Sequence, residues 1–212
     1  MENERGPQAL GREREGPAGG MEPLVLASGS PRRAEILRAV GWRFEAYVPD
    51  IDETPAAGES AEDYVQRLAR EKAGAVASTR LFGLVLGADT IVVVDGDILG
   101  KPLDAGEARR MLRRLAGRPH EVLTGVALVR AETNRSIVRF ARTRVRFAAL
   151  SDEEIDAYVE TGEPLDRAGA YAVQGLAAPF IESIEGEYWN VVGLPIRLVY
   201  ELARGFEKDG AL

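Results

Sequence analysis

The run Leu24-Val25-Leu26-Ala27-Ser28-Gly29-Ser30-Pro31-Arg32-Arg33 leaves this chain few ways to fold. Three apolar residues lead into a small, polar turn, then a proline and two arginines. Ala34-Glu35-Ile36-Leu37-Arg38-Ala39-Val40 follows with apolar residues at helical spacing. The pattern predicts a buried strand, a tight loop and a helix. Pro31 falls in the first helical turn, where its missing N–H costs nothing. Ser30 is the expected N-cap. Such a helix start aims unpaired N–H groups, and the positive end of its dipole, at the space above the loop. Two guanidinium groups there make a place for a phosphate-bearing anion. An ordinary strand-to-helix turn with solvated arginines has the same local pattern.

The rest of the chain bounds what this unit can belong to. With 212 residues, 45% of them hydrophobic, the protein can bury a sizeable core. No cysteine is present, which excludes disulfides and thiolate metal sites and fits a reducing, cytoplasmic setting. The net charge is -7, so the chain is a poor match for a nucleic-acid backbone. No apolar run approaches the roughly 20 residues of a membrane span, and the N-terminus lacks the apolar core of a signal peptide. Residues 1–20 are rich in Gly, Pro, Glu and Arg without periodicity, and are expected to be a disordered tail. Residues 21–212 are expected to form one domain. Met21, just before the first strand, is a candidate start of translation.

Further along, Arg43 to Val48 predicts a short strand, and Pro49-Asp50-Ile51-Asp52-Glu53-Thr54-Pro55 an acidic loop. Ser60 is expected to cap a helix, with Asp63 in the capping-box position. Leu84 to Ala88 predicts a buried strand ending at Asp89-Thr90, with Ile91 to Val94 continuing it into an Asp95-Gly96 hairpin turn. Asp104 starts a helix that Gly117 stops. Glu121–Arg130 and Ser136–Phe147 are long enough to pair as a hairpin. Ser151-Asp152-Glu153-Glu154 opens another helix. Gly162 to Gly175 is a Gly-rich loop region. Phe180–Ile184 and Tyr188–Val192 flank Glu185-Gly186 and are expected to form a last hairpin. Pro195 begins a closing helix. Early alternation of strands and helices, with antiparallel hairpins later, predicts a mixed α/β sheet.

Four features carry candidate chemistry. Arg32 and Arg33 sit on the opening loop. Asp52 and Glu53 form an acidic pair able to hold a hard cation through oxygen ligands, or a merely solvated loop. Asp89 ends a buried strand, where ligands of open α/β sheets commonly bind; a turn-forming Asp is the plainer reading. Lys72 and Lys101 stand out because lysine is scarce beside arginine in this chain. His120 is the single histidine, and with no Gly-x-Ser-x-Gly elbow it is read as structural. No P-loop run and no zinc-type spacing occurs.

These motifs fall into a known order. Leu26-Ala27-Ser28-Gly29-Ser30-Pro31-Arg32-Arg33, Gly87-Ala88-Asp89-Thr90, Gly100-Lys101-Pro102, Thr124-Gly125-Val126, Glu163 to Tyr171, Gln174-Gly175 and Val192-Gly193-Leu194-Pro195 resemble the Maf family of nucleoside triphosphate pyrophosphatases. The resemblance runs from about Leu24 to Phe206. It implies an elongated, twisted mixed sheet flanked by helices around a central cleft. It implies hydrolysis between the α- and β-phosphates of a nucleoside triphosphate, a divalent cation (Mg²⁺ or Mn²⁺), and a homodimer. Asp89 matches the family's proton acceptor. Ser28, Ser30, Arg32 and Arg33 match its first substrate-binding loop, and Lys72 and Lys101 its phosphate-binding lysines. A family glutamate in the acidic loop falls on Asp52, one methylene shorter, so Asp52 or Glu53 is left to meet a metal together with Asp89. Arg33, Thr90 and Gln174 resemble the branch acting on dTTP and UTP; the branch acting on 7-methyl-GTP carries Trp, Gln and Glu there. The amide of Gln174 suits the O4/N3 edge of uracil or thymine. A nucleotidyltransferase also opens with a strand, a small-residue loop and an arginine, but its Leu-Ala-Gly-Gly and Arg-Met-Gly steps are absent. A septum-formation regulator that binds nucleotide without turnover is the other alternative.

Overall fold

The structure is a computed structural model that describes residues 18–209. The tail expected over residues 1–20 lies outside the described residues as far as residue 17. Ala18 and Met21 are both buried against the first core cluster.

The sheet has seven strands, joined in the order β2-β1-β3-β5-β6-β7, with β4 on β3. They are β1 (Leu24–Ala27), β2 (Phe44–Tyr47), β3 (Leu84–Val94), β4 (Asp97–Leu99), β5 (Pro119–Arg130), β6 (Ser136–Phe147) and β7 (Ile181–Glu185). β2, β1 and β3 run parallel, and the remaining pairings are antiparallel. This is the mixed α/β sheet expected. The turn between β3 and β4 uses Asp95 and Gly96 at φ 55° and 84°, the left-handed pair a two-residue hairpin requires.

Helices cover both faces: α1 (Pro31–Ala39), α2 (Ala61–Ala77), α3 (Ala105–Leu115), α4 (Asp152–Glu160), α5 (Tyr188–Val192) and α6 (Ile196–Asp209). Side chains alternate across β1 and β3, and the core divides accordingly. Leu24, Leu26, Leu84 and Leu86 pack with α1 and α6, while Val25, Ala27 and Val85 pack with α2. Farther along β3, Val92 and Val94 join a separate cluster with Met111 and Leu112 of α3 and Ile155 and Tyr158 of α4. The face shared by these clusters thus carries two lobes.

Where the lobes part, the sheet has a notch. β1 ends at Ala27, opposite Gly87, and β4 pairs with β3 only from Val92 onward. Ala88 to Ile91 therefore face neither strand on that side, although all four pair with β5 on the other. Backbone left open in mid-strand is costly to bury. It is also where a sheet can present side chains from both faces to one ligand.

Two local expectations need correction. Tyr188–Val192 is helix α5, not a strand of a final hairpin; β7 pairs with β6 instead. Residues of this type favour strands, but tertiary contacts decide here. The buried Asn190 amide donates to Val122 O and Thr143 Oγ1, both at 3.0 Å. Gly193, at φ 123°, closes the turn onto the carbonyls of Trp189 and Asn190. Ser30 holds the N-cap position of α1 without a side-chain cap bond; its N–H donates to Ser28 Oγ at 3.2 Å. Ser60 and Ser151 do cap α2 and α4, and Ser151 with Glu154 forms the full reciprocal box.

Candidate active site

A cleft of about 440 Å³ opens at the notch. It gathers the expected residues Ser28, Ser30, Arg32, Arg33, Glu53, Lys72, Asp89, Thr90, Lys101 and Gln174, from segments far apart in sequence.

Asp89 and Lys72 form its floor. Lys72 stands on α2 and Asp89 on β3, and their side chains meet at 2.7 Å, each about 10% exposed. Two glycines make the approach feasible. A Cβ on Gly87 would collide with the carbonyl of Ala69, and one on Gly125 with that of Val65. The bare backbones of β3 and β5 thus let α2 lie directly on the sheet. Lys72 Nζ also reaches Glu53 Oε1 at 2.7 Å. Tyr64 of α2 fixes the acidic loop, donating to Glu53 O at 2.8 Å. Burial, with Asp89 and Glu53 nearby, pushes the Tyr64 phenol up to about 12, so it stays a donor. Arg67 grips the same loop through Glu59 at 2.7 Å and Thr54 O at 3.1 Å. That guanidinium holds Glu59 down to about 2.

Arg33 is buried beside the floor and uses all three guanidinium nitrogens. Nε donates to Gly193 O at 2.9 Å, Nη1 to Ser28 Oγ at 2.9 Å and Nη2 to Thr90 Oγ1 at 3.1 Å. Burial lowers its pKa, opposed by the charge of Asp89. Thr90 in turn meets Thr124 at 3.0 Å. Arg33 is therefore a fixed member of the strand wall rather than a solvated side chain.

Across the cleft, Lys101 Nζ lies 2.5 Å from Asp166 Oδ1, both well exposed. Arg32 approaches the Asp166 carbonyl at 3.5 Å, and Arg167 the Asp166 carboxylate at 3.6 Å. Arg32 Nη1 and Arg167 Nε are buried donors without a protein partner. Donors of this kind at the wall of a cationic cleft suit a ligand rich in acceptor oxygens.

Asp52 does not reach the cleft. Its carboxylate accepts the Thr54 N–H at 2.9 Å, and hydrogen bonding from the Thr54 side chain and then its backbone N–H holds its pKa down. Among the described residues no three acidic or imidazole groups converge, so Asp52, Glu53 and Asp89 are not brought together as a set. Glu53 and Asp89 remain as donors, and the Lys72 ammonium already occupies a cation position between them. Mg²⁺ is usually held by one or two carboxylates together with substrate phosphates and water, and this donor pair fits that pattern.

His120 is structural, as expected. It is buried against Phe147 and Tyr171, with Nε2 2.8 Å from Tyr171 Oη, and burial pushes it down to about 4. Asp166 and Arg167, with Tyr64 and Glu59 behind the floor, were not singled out by sequence. Only Asp166 and Arg167 lay inside a recognised motif.

A family model described as Maf-like protein matches residues 23–206. A protein of Symbiobacterium thermophilum named dTTP/UTP pyrophosphatase is 54% identical over 186 residues, covering 88% of this chain and 95% of its own. A protein of the same name from Shewanella oneidensis is 54% identical over 181 residues, covering 82% and 92%. Among solved structures, the Ham1 protein of Staphylococcus aureus shares the fold at a TM-score of 0.52 and 15% identity, covering 87% of this chain and 99% of that one. With its motifs, its sheet and its relatives in agreement, the chain belongs to the Maf family.

Proposed function

We propose that this protein is a nucleoside triphosphate pyrophosphatase that hydrolyses dTTP and UTP to the monophosphate and pyrophosphate. The observation that carries the reading is Asp89, a buried carboxylate at the notch, with Lys72 on it at 2.7 Å and further cations around the same cleft. The names of relatives about half identical to this chain support the substrate.

In this reading Asp89 takes a proton from a water that attacks the α-phosphorus. The bond to the α–β bridging oxygen breaks, and pyrophosphate leaves with its electron pair. Lys72, at 2.7 Å, holds the Asp89 carboxylate aimed. Arg32 and Lys101 offset the negative charge that grows on the leaving group. Arg33 keeps Ser28 and Thr90 in place at the strand wall. A divalent cation, when bound, supplies charge neutralisation at the phosphates, with Glu53 and Asp89 as its protein ligands. Gln174, exposed at the cleft, pairs with the pyrimidine edge. The resemblance also brings a homodimer into the proposal, which light scattering tests, and the cysteine-free composition a cytoplasmic setting.

The deciding experiment incubates the protein with a panel of nucleoside triphosphates and Mg²⁺ and separates pyrophosphate from phosphate. UTP and dTTP yielding pyrophosphate is the expected result. Release of single phosphates, or tight binding without product, overturns it.

A further inference from the structure

Gln174 occupies the second central position of a turn closed by the Gly175 N–H on Ala172 O at 3.1 Å. Its neighbour Val173 is buried, while Gln174 itself is exposed at the cleft. An exposed amide discriminates between bases only if the backbone carrying it is held.

Two side chains hold that backbone. Tyr158, buried on α4, donates from its hydroxyl to Glu163 Oε1 at 2.8 Å. The Ala172 N–H donates to the same hydroxyl oxygen at 3.3 Å. The Leu176 N–H donates to both Glu163 oxygens, at 3.0 and 3.2 Å. The amides two residues before and two residues after Gln174 thus end on one Tyr–Glu pair. Gly175 permits it, because a Cβ there would collide with the Glu163 carboxylate. Phe180 supports Tyr158 edge-on, with ring centroids 5.5 Å apart. Burial and the adjacent carboxylate push the Tyr158 phenol up, so it remains a donor.

We infer that Tyr158 and Glu163 are positioning residues for base selection: they fix the Ala172–Leu176 turn so that Gln174 meets the nucleobase in one geometry. Neither lines the cleft. The inference rests on the reading of Gln174 as the group that meets the base.

The test compares wild type with Tyr158→Phe, Glu163→Ala and Glu163→Gln in the full chain. One readout is hydrogen exchange of the amides in 172–176 without nucleotide. The other is the kcat/KM ratio of UTP to CTP. Tyr158→Phe and Glu163→Ala should speed exchange and lower the ratio about tenfold, mainly through the KM for UTP, as loss of a fixed hydrogen bond allows. Glu163→Gln keeps an acceptor oxygen for Leu176 and Tyr158 and should restore most of the ratio. A merely structural role would lower turnover of both nucleotides equally. Unchanged exchange in both Tyr158→Phe and Glu163→Ala overturns the clamp. Faster exchange with an unchanged ratio overturns its part in selection. A wild type that fails to prefer UTP over CTP overturns the assignment of Gln174 instead, and the exchange data then judge the clamp alone.

Discussion

On the strand wall of the cleft, Lys72 and Asp89 meet at 2.7 Å with side chains 10% exposed. On the loop wall, Lys101 and Asp166 meet at 2.5 Å with side chains 63% and 65% exposed. The two ion pairs look alike in distance, yet they obey different physics. The exposed pair is screened and costs little to break, so phosphate oxygens can replace Asp166 on Lys101. The buried pair is held in a lattice that includes Glu53, and removal of one member strands a charge away from water. In the proposed reaction, a site built this way would keep the Asp89 carboxylate rigid and leave Lys101 exchangeable for substrate oxygens.

The strongest way to break this contrast is Asp89→Asn. The amide is close to isosteric and still accepts from Lys72, whose ammonium keeps Glu53 as its charged partner, so the protein should fold, with a lowered melting temperature. Turnover should fall by about 10²–10⁴-fold, the usual value of a general base. Pyrophosphate release measures it, and a variant with most of its rate intact removes Asp89 from that role.

Lys72→Met comes next. It leaves Glu53 and Asp89 without their shared ammonium. We expect kcat to fall on the order of 10²-fold, with a clear loss of thermal stability. A variant with wild-type kcat would mean that the strand wall needs no wiring from α2.

The loop wall has a buried root, and pH probes it. Tyr171 lines the cleft and rests on His120. Folded His120 takes a proton only near pH 4, whereas an unfolded histidine does so near 6.5. Between those values the unfolded chain binds more protons, so stability falls as pH falls from about 6.5 to about 4. The loss is at most about 3 kcal/mol. His120→Gln should flatten urea-derived stability between pH 6.5 and pH 5, a window above the titration of Glu59. A slope that persists in the variant assigns it to another group.

Local patterns revealed more of the strand wall than of the loop wall. The unit from Leu24 to Ala39 is written in adjacent residues: an apolar run, small turn residues, and a proline where a helix can begin. Asp89 follows a continuous apolar run that marks a buried strand. The partnership of Lys72 with Asp89 is not local. It depends on Gly87 and Gly125 lying under one helix, and those glycines carry no mark of what crosses them. Tyr188–Val192 misled for the reverse reason: five residues with strand preferences become helix because Asn190 finds its partners on β5 and β6. Asp52 and Glu53 are adjacent and chemically alike, yet Glu53, its carbonyl held by Tyr64, turns in to Lys72 while Asp52 turns to the Thr54 N–H. The hold of Glu163 on Leu176 spans a Gly-rich loop that has no periodicity to read.

The smallest effect tests the exchangeable half of the contrast. Lys101→Ala removes an exposed ion pair, so stability should stay within about 0.5 kcal/mol of wild type. The KM for UTP should rise about tenfold while kcat falls less, because one charge-assisted contact to phosphate is lost. The dependence of KM on salt should weaken as well, since one fewer cation meets the substrate. Asp166→Ala separates displacement from simple attraction. If phosphate replaces Asp166 on Lys101, removing that carboxylate frees the ammonium and lowers KM or leaves it unchanged. If Asp166 instead holds Lys101 in its working position, KM rises in both variants, and the loop wall is wired like the strand wall after all.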